Sequence, residues 1–221
     1  MDGIADLGGT DGWGPMHPPR RDEPVFGQPW QGRAFALTQL SRRAAGYNVD
    51  AFRHALERLD RDAYLEDGYY GRWLNGTELI LTETGLLAPG AIEARARNLR
   101  GEQVPEPADR QPHRPDYTPT AEGSLREVAA PPAYAVGQRV RARASASAGH
   151  TRLPRYARGH TGTVTVIQPA ALLPDTNAHF EGENPQHVYT VAFESRELWG
   201  PEAEPFTVTI ELYESYLQPA L

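Results

Sequence analysis

Eleven of the first 30 residues are glycine or proline, and residues 101–133 hold seven prolines. Neither stretch shows a helical or strand period, so neither can build a core of its own. The folded parts of the chain must therefore lie in residues 31–100 and 134–221. At 221 residues there is room for one large domain or two small ones, with enough surface burial to fold without covalent staples. The first stretch also carries Trp13, Phe26 and Trp30. Disordered tails are usually poor in aromatics. Residues 1–30 are thus expected to be an extended arm packed on another surface, with a frayed terminus as the alternative.

Between the two punctuated stretches the pattern is helical. Phe35, Leu37 and Leu40 open one helix, which Gly46 ends. Asp50 is placed to cap AFRHALERL, where Phe52, Leu56 and Leu59 repeat at helical spacing. A third helix runs from Ala63 or Tyr69 to Thr84 and is stopped by Gly85. A fourth follows Pro89 and ends before Gly101, with proline entering and glycine leaving. Beyond residue 133 the period becomes two. Residues 139–141, 163–167, 188–193 and 206–210 read as strands separated by turn residues. The expected class is α+β: an arm (1–30), a helical domain (31–100), a Pro-rich linker (101–133) and a small SH3-like β-barrel (134–221).

Composition removes several chemistries. The chain has no cysteine, which excludes disulfides, thiolate metal ligands and a nucleophilic thiol. No two histidines have HxxxH spacing, and no glycine loop precedes a helix in the manner of a nucleotide site. No apolar run approaches the ~18 residues of a membrane span, and a leader pattern is missing; a soluble, cytoplasmic protein is expected. Nothing resembles a self-sufficient catalytic set.

Charge is unevenly placed. The net charge is −7, yet residues 128–174 contain six arginines and no acid. All 22 basic side chains are arginine. The GHTRLPRYARGHTGTV segment within this block permits three readings. It could be a solvated basic strand, a nucleic-acid surface, or a place where one or two arginine forks hold a buried anion. Between Arg139 and Gly162 only Tyr156 is present to stack on a base, which weakens the second reading. Arg53 sits at the edge of an apolar helical stripe with Glu57 one turn on, so spacing alone favours a surface ion pair over a function. Tyr69, Tyr70 and Trp73 share a helical neighbourhood and could be core or pocket wall.

Several segments together resemble the beta subunit of nitrile hydratase: MDGIADLGGTDGWGPM with DEPVF, then DAFRHALERLDRDAYLEDGYYGRWL, GHTRLPRYARGHTGTV, HVYTVAFESRELWG and IELYESYLQP. The likeness runs from Met1 to about Pro219 in order and weakens in the linker. It implies a complex that adds water to a small nitrile to give the amide. It implies a non-corrin Co(III) or Fe(III) held by the partner alpha subunit, with two of that subunit's cysteines oxidised, and no cofactor bound by this chain. It places Arg53 and Arg152 as the catalytic arginines that hold the oxidised sulfurs, with Arg155 and Arg158 supporting the barrel and interface. Val49, Phe52, Tyr69 and Trp73 become substrate-pocket walls. Gly71 and Arg72 replace the histidine or acid that many members carry there, so a channel role at those positions is in doubt. The resemblance also implies an alpha2-beta2 heterotetramer, with neither nucleic acid nor membrane as partner. A thiocyanate hydrolase subunit and an activator or metallochaperone are the alternatives.

Overall fold

The computed structural model describes residues 3–8, 12, 14–15, 17–144 and 149–220. Two compact units emerge, one of residues 15–117 and one combining residues 1–14 with 118–221.

The first unit is helical. Helix α1 (Pro29–Ala45) begins with proline at its first turn and closes on Gly46, whose φ of 76° lets its N–H reach back to the Arg42 and Arg43 carbonyls. Helix α2 (Val49–Glu57) is capped by Asn48 rather than by Asp50. The Asn48 Oδ1 accepts the N–H groups of Asp50 (3.0 Å) and Ala51 (2.8 Å). Asp50 instead sits inside the first turn, buried. The next helix comes in two pieces, α3 (Arg61–Glu66) and α4 (Gly68–Glu83), because Gly68 has φ 68° and interrupts the helix. Helix α5 (Ala91–Leu99) ends before Gly101, as the spacing predicts. Ala45, Phe52, Ala55 and Ile80 form the core, with Trp73, Leu56 and Tyr47 packed around it. Arg58 and Glu83 tie α2 to α4 through two hydrogen bonds (2.5 and 3.0 Å), and Tyr47 donates to the same carboxylate (2.9 Å). The guanidinium holds the Glu83 carboxyl below its ordinary range.

The second unit is built on strands β1 (Arg139–Ala142), β2 (Thr161–Ala171), β3 (Gln186–Glu194), β4 (Thr207–Tyr213) and β5 (Leu217–Pro219). Two short helices, α6 (Pro174–Asn177) and α7 (Ser195–Trp199), lie between β2 and β4 in sequence. All pairings are antiparallel and the sheet order is β4-β3-β2-β1-β5. These ladders do not close the expected SH3-like barrel. Among the described residues the sheet is open, with β4 and β5 as its edges. The β2–β3 register shifts between Val164 and Val166 and again between Gln168 and Ala171, irregularities that bend and twist a long strand. Alternation in β1 buries Val140 and Ala142 and turns Arg139 and Arg141 outward, so these two arginines are the solvated strand face. Val140, Leu153, Val164, Tyr189, Val191, Phe193, Leu212 and Leu217 fill the core.

Residues 101–133 contain neither helix nor strand, yet they are tied down at several points. His113 donates its N–H to the Thr84 carbonyl (2.7 Å) in the helical unit. In the strand unit, Arg126 forks onto Glu183 with bonds of 2.5 and 2.8 Å, and the Thr120 hydroxyl and N–H complete that carboxylate's shell. Both side chains of the pair are nine-tenths covered, and Glu183 is pushed down to about 2, chiefly by the arginine hydrogen bond.

Part of the N-terminal segment is held by this chain itself. The Asp6 carboxylate accepts the N–H of Arg155 (2.8 Å). A Cβ on Gly8 would lie 2.8 Å from the Tyr156 ring, so glycine lets the segment run this close to it. Trp13, one of the aromatics that suggested an arm, lies outside the described residues. Phe26 packs on Tyr70 (5.3 Å between centroids) and Phe35 (6.1 Å).

Candidate functional site

In the helical unit the candidate residues share α2 and α4. Asn48 fixes the first turn of α2, which places Val49 and Arg53 at the surface and Phe52 in the core. The expected Arg53–Glu57 pair does not form. Arg53 Nη1 donates to Asp50 Oδ1 at 3.0 Å, one turn back, and Glu57 lies 3.5 Å from His54 Nδ1. Asp50 is almost fully covered while the Arg53 side chain is 47% exposed. The buried carboxylate therefore anchors one edge of the guanidinium and leaves the other donors of the fork facing outward.

Trp73 is the centre of an aromatic wall. Phe52 meets it edge-on at 5.8 Å, Tyr69 lies tilted at 5.5 Å, and Phe35 from α1 stacks on it at 5.5 Å. Tyr69 is 61% exposed and Val49 46%, whereas Phe52 is buried. The wall thus has a rigid base and an open rim. Beneath it, the Thr77 hydroxyl donates to the Trp73 carbonyl (2.7 Å) and lies 2.9 Å from the Thr38 hydroxyl, which locks α1 to α4. Phe26 and Phe35 belong to this wall, though the sequence reading gave them no site role. The Arg72 guanidinium sits over the Tyr64 ring, 4.3 Å from its centroid. A Cβ at Gly71 would meet the Asp67 Cβ at 2.7 Å.

In the strand unit the GHTR segment is an irregular turn, and its backbone donors go to side chains. Arg152 N–H donates to the Tyr216 hydroxyl (3.1 Å), and Leu153 N–H to the Thr151 hydroxyl (3.3 Å). His150 N–H donates to His179 Nε2 (3.1 Å). His150 and Thr151 are fully buried. Tyr216 in turn donates a short hydrogen bond to Asp175. Burial raises the Asp175 carboxyl, and hydrogen bonds from Tyr216 and Thr151 offset part of that rise. Burial and the neighbouring carboxylate hold the Tyr216 hydroxyl far above its ordinary range, so it stays a donor. Arg152 itself is half-buried, and its guanidinium makes no hydrogen bond or ion pair among the described residues. Arg158 donates to the Leu153 carbonyl at 3.1 Å. Arg155 is exposed, its N–H held by Asp6.

Two family models divide the chain between them. The nitrile hydratase beta subunit N-terminal model matches residues 1–121, and the C-terminal model matches residues 123–219. The chain belongs to the nitrile hydratase beta subunit family. Among its relatives, the nitrile hydratase subunit beta of Pseudomonas putida is 37% identical over 224 residues, covering 100% of both chains. The cobalt-containing nitrile hydratase subunit beta of Pseudonocardia thermophila is 37% identical over 226 residues, with 99% of this chain and 96% of that one covered. A solved recombinant apo-enzyme of thiocyanate hydrolase from Thiobacillus thioparus is similar over 40% of this chain and 76% of its own, at 30% identity and a TM-score of 0.38. Both nitrile hydratase beta modules stand in one chain here, and membership in this family implies an alpha subunit as partner. Among the described residues no helix is long and apolar enough to cross a membrane.

Proposed function

We propose that this chain supplies the arginine donors and the aromatic wall of a nitrile-hydrating centre whose metal is held by the alpha subunit. The observation that carries this is the state of the two arginines. Arg152 rises from a turn fixed by side chains, yet its own fork has no partner among the described residues. Arg53 is braced on one edge by Asp50 and open on the others. Oxidised cysteine sulfurs are anionic, and burying them at an interface requires charge-assisted hydrogen bonds, to which planar forks are suited and ammonium groups are not. A chain without cysteine offers no thiolate, so its residues fit donors toward such a group rather than ligands of the metal.

When bound in the partner, the metal supplies Lewis-acid activation of water or of the nitrile. This chain's residues do the rest of what is proposed here. Arg53 and Arg152 each donate to an oxidised sulfur group and orient its oxygen. Tyr69 and Trp73, with Phe52 against Trp73, and Val49 on the same helix as Phe52, bind the apolar part of the nitrile and exclude water. Burial of Phe52 makes it the fixed base of that wall, while exposed Tyr69 offers a hydroxyl toward the partner. The exposed part of the segment at residues 17–28 is available to pack on the alpha subunit, and an alpha2-beta2 assembly follows from the same reading. The two irregularities in β2 favour a sheet that curls toward an SH3-like barrel.

The test is substitution in the assembled complex. Arg53→Lys and Arg152→Lys should each lower kcat by tenfold or more, with metal content and fold unchanged; activity within about threefold of the parent would remove that arginine from the site. The chain expressed alone should bind neither cobalt nor iron, and stoichiometric metal on it would contradict the division of labour.

A further inference from the structure

We propose that His179 is a positioning residue for the turn that carries Arg152, acting through the unprotonated Nε2 of its imidazole.

The turn at residues 149–153 lies outside every strand ladder, so its shape is set by whatever accepts its N–H groups. His150, Arg152 and Leu153 all donate to side chains: His179 Nε2, the Tyr216 hydroxyl and the Thr151 hydroxyl. Thr151 acts within the turn itself. The other two are long-range clamps, reaching back from 29 and 64 residues along the chain. Tyr216 is aimed by Asp175 at the start of α6, and His179 follows the end of α6. One short element therefore controls both clamps, one on each side of Thr151.

The approach of His179 is close enough to dictate its neighbour. A Cβ built on Gly149 would fall 2.1 Å from His179 Nε2, so any side chain there would push the imidazole out of this position. Glycine at 149 is what lets the imidazole reach the His150 N–H. An Nε2 that accepts from a backbone amide carries no proton on that nitrogen. His150 is fully buried, and water cannot replace a lost acceptor there. Freed from His179, the segment before Arg152 would lose a bond that directs its backbone, and the guanidinium would be presented less tightly. Small displacements of this kind reduce turnover with little effect on substrate affinity.

This inference rests on the role proposed for Arg152, and its test separates the two. In the assembled enzyme, His179→Phe removes the acceptor at similar bulk, whereas His179→Gln can place Oε1 near the position of Nε2. Amide exchange of the peptide containing residues 149–153 is followed by mass spectrometry alongside kcat and KM. The expected result for His179→Phe is at least tenfold faster exchange of that peptide and a fall in kcat of about tenfold with KM nearly unchanged, both restored toward parental values by His179→Gln. Unchanged exchange in His179→Phe would overturn the proposal. Faster exchange with unchanged kcat would also overturn it, provided that Arg152→Lys is impaired in the same preparation. If Arg152→Lys is fully active, the reading of Arg152 fails instead, and the exchange result alone decides whether His179 positions the turn.

Discussion

Replacing Tyr216 with phenylalanine keeps the ring and removes one oxygen, so its cost can be assigned to hydrogen bonds alone. The ring is 5% exposed, and the substitution opens no cavity. Three groups lose a partner: the Arg152 N–H, which donates to that hydroxyl at 3.1 Å, the Asp175 carboxylate, which accepts from it, and the Thr151 hydroxyl, which is also bonded to it. An orphaned buried donor costs about 1–3 kcal/mol, and a lost bond to a charged acceptor about 1.5–3 kcal/mol. Thr151 remains on Asp175 and softens the second loss. A net destabilisation of about 2–4 kcal/mol follows, which in a chain of this size lowers Tm by roughly 5–12 °C. The pH dependence gives a second readout. Burial already raises the Asp175 carboxyl above its unfolded value, and removing a donor raises it further. For a carboxyl raised in the folded state, stability is highest when it is protonated and declines as pH rises from the unfolded toward the folded pKa. The variant should therefore be more impaired near neutrality than near pH 4. Thermal and denaturant melts at both pH values measure this, with Asp175→Asn closing a double-mutant cycle. A loss under about 0.5 kcal/mol, or an equal loss at both pH values, would refute the hydrogen-bond account.

Glu183 behaves with the opposite sign. Held down to about 2 by Arg126, it stabilises the fold fully above its ordinary value near 4.5 and ceases to do so as pH falls toward 2. Glu183→Gln should cost about 1–3 kcal/mol at pH 7 and much less near pH 2 in denaturant titrations. Gly162→Ala should cost about 2–3 kcal/mol or prevent folding, because the new methyl would lie 2.6 Å from the Ala192 carbonyl oxygen in the facing strand. A melt unchanged from the parent would contradict the close approach of β2 to β3.

The helices were legible because their signals are local. Gly46 and Gly101 end helices where the sequence places them. Asn48 and Asp50 are both good caps two residues apart, and only the backbone path decided between them. The partner of Arg53 was misread for a related reason. Position i+4 is Glu57, but α2 turns Glu57 toward His54 and buries Asp50 beside the arginine. The barrel expectation came from counting short strands, whereas β2 runs for 11 residues and β5 for three, a disparity that period two does not reveal. Asp175, His179 and Tyr216 were invisible to sequence reading. His179 and Tyr216 meet the GHTR turn across separations of 29 and 64 residues, and no spacing rule links a histidine after α6 to an amide before Arg152.

The carboxylate of Asp6 on the Arg155 amide has a consequence for anyone dividing this protein. The two family modules meet near residue 122, but the first 14 residues cluster with the second of them. A cut at that junction would leave Asp6 on one fragment and the amide it binds on the other. Fragments made there should reassociate through this clip when mixed, and a C-terminal piece produced by itself would expose the face of Tyr156 that Gly8 covers. The unit of inheritance and the unit of folding are offset in this chain, and a shuffled gene that respected only the first would break the second.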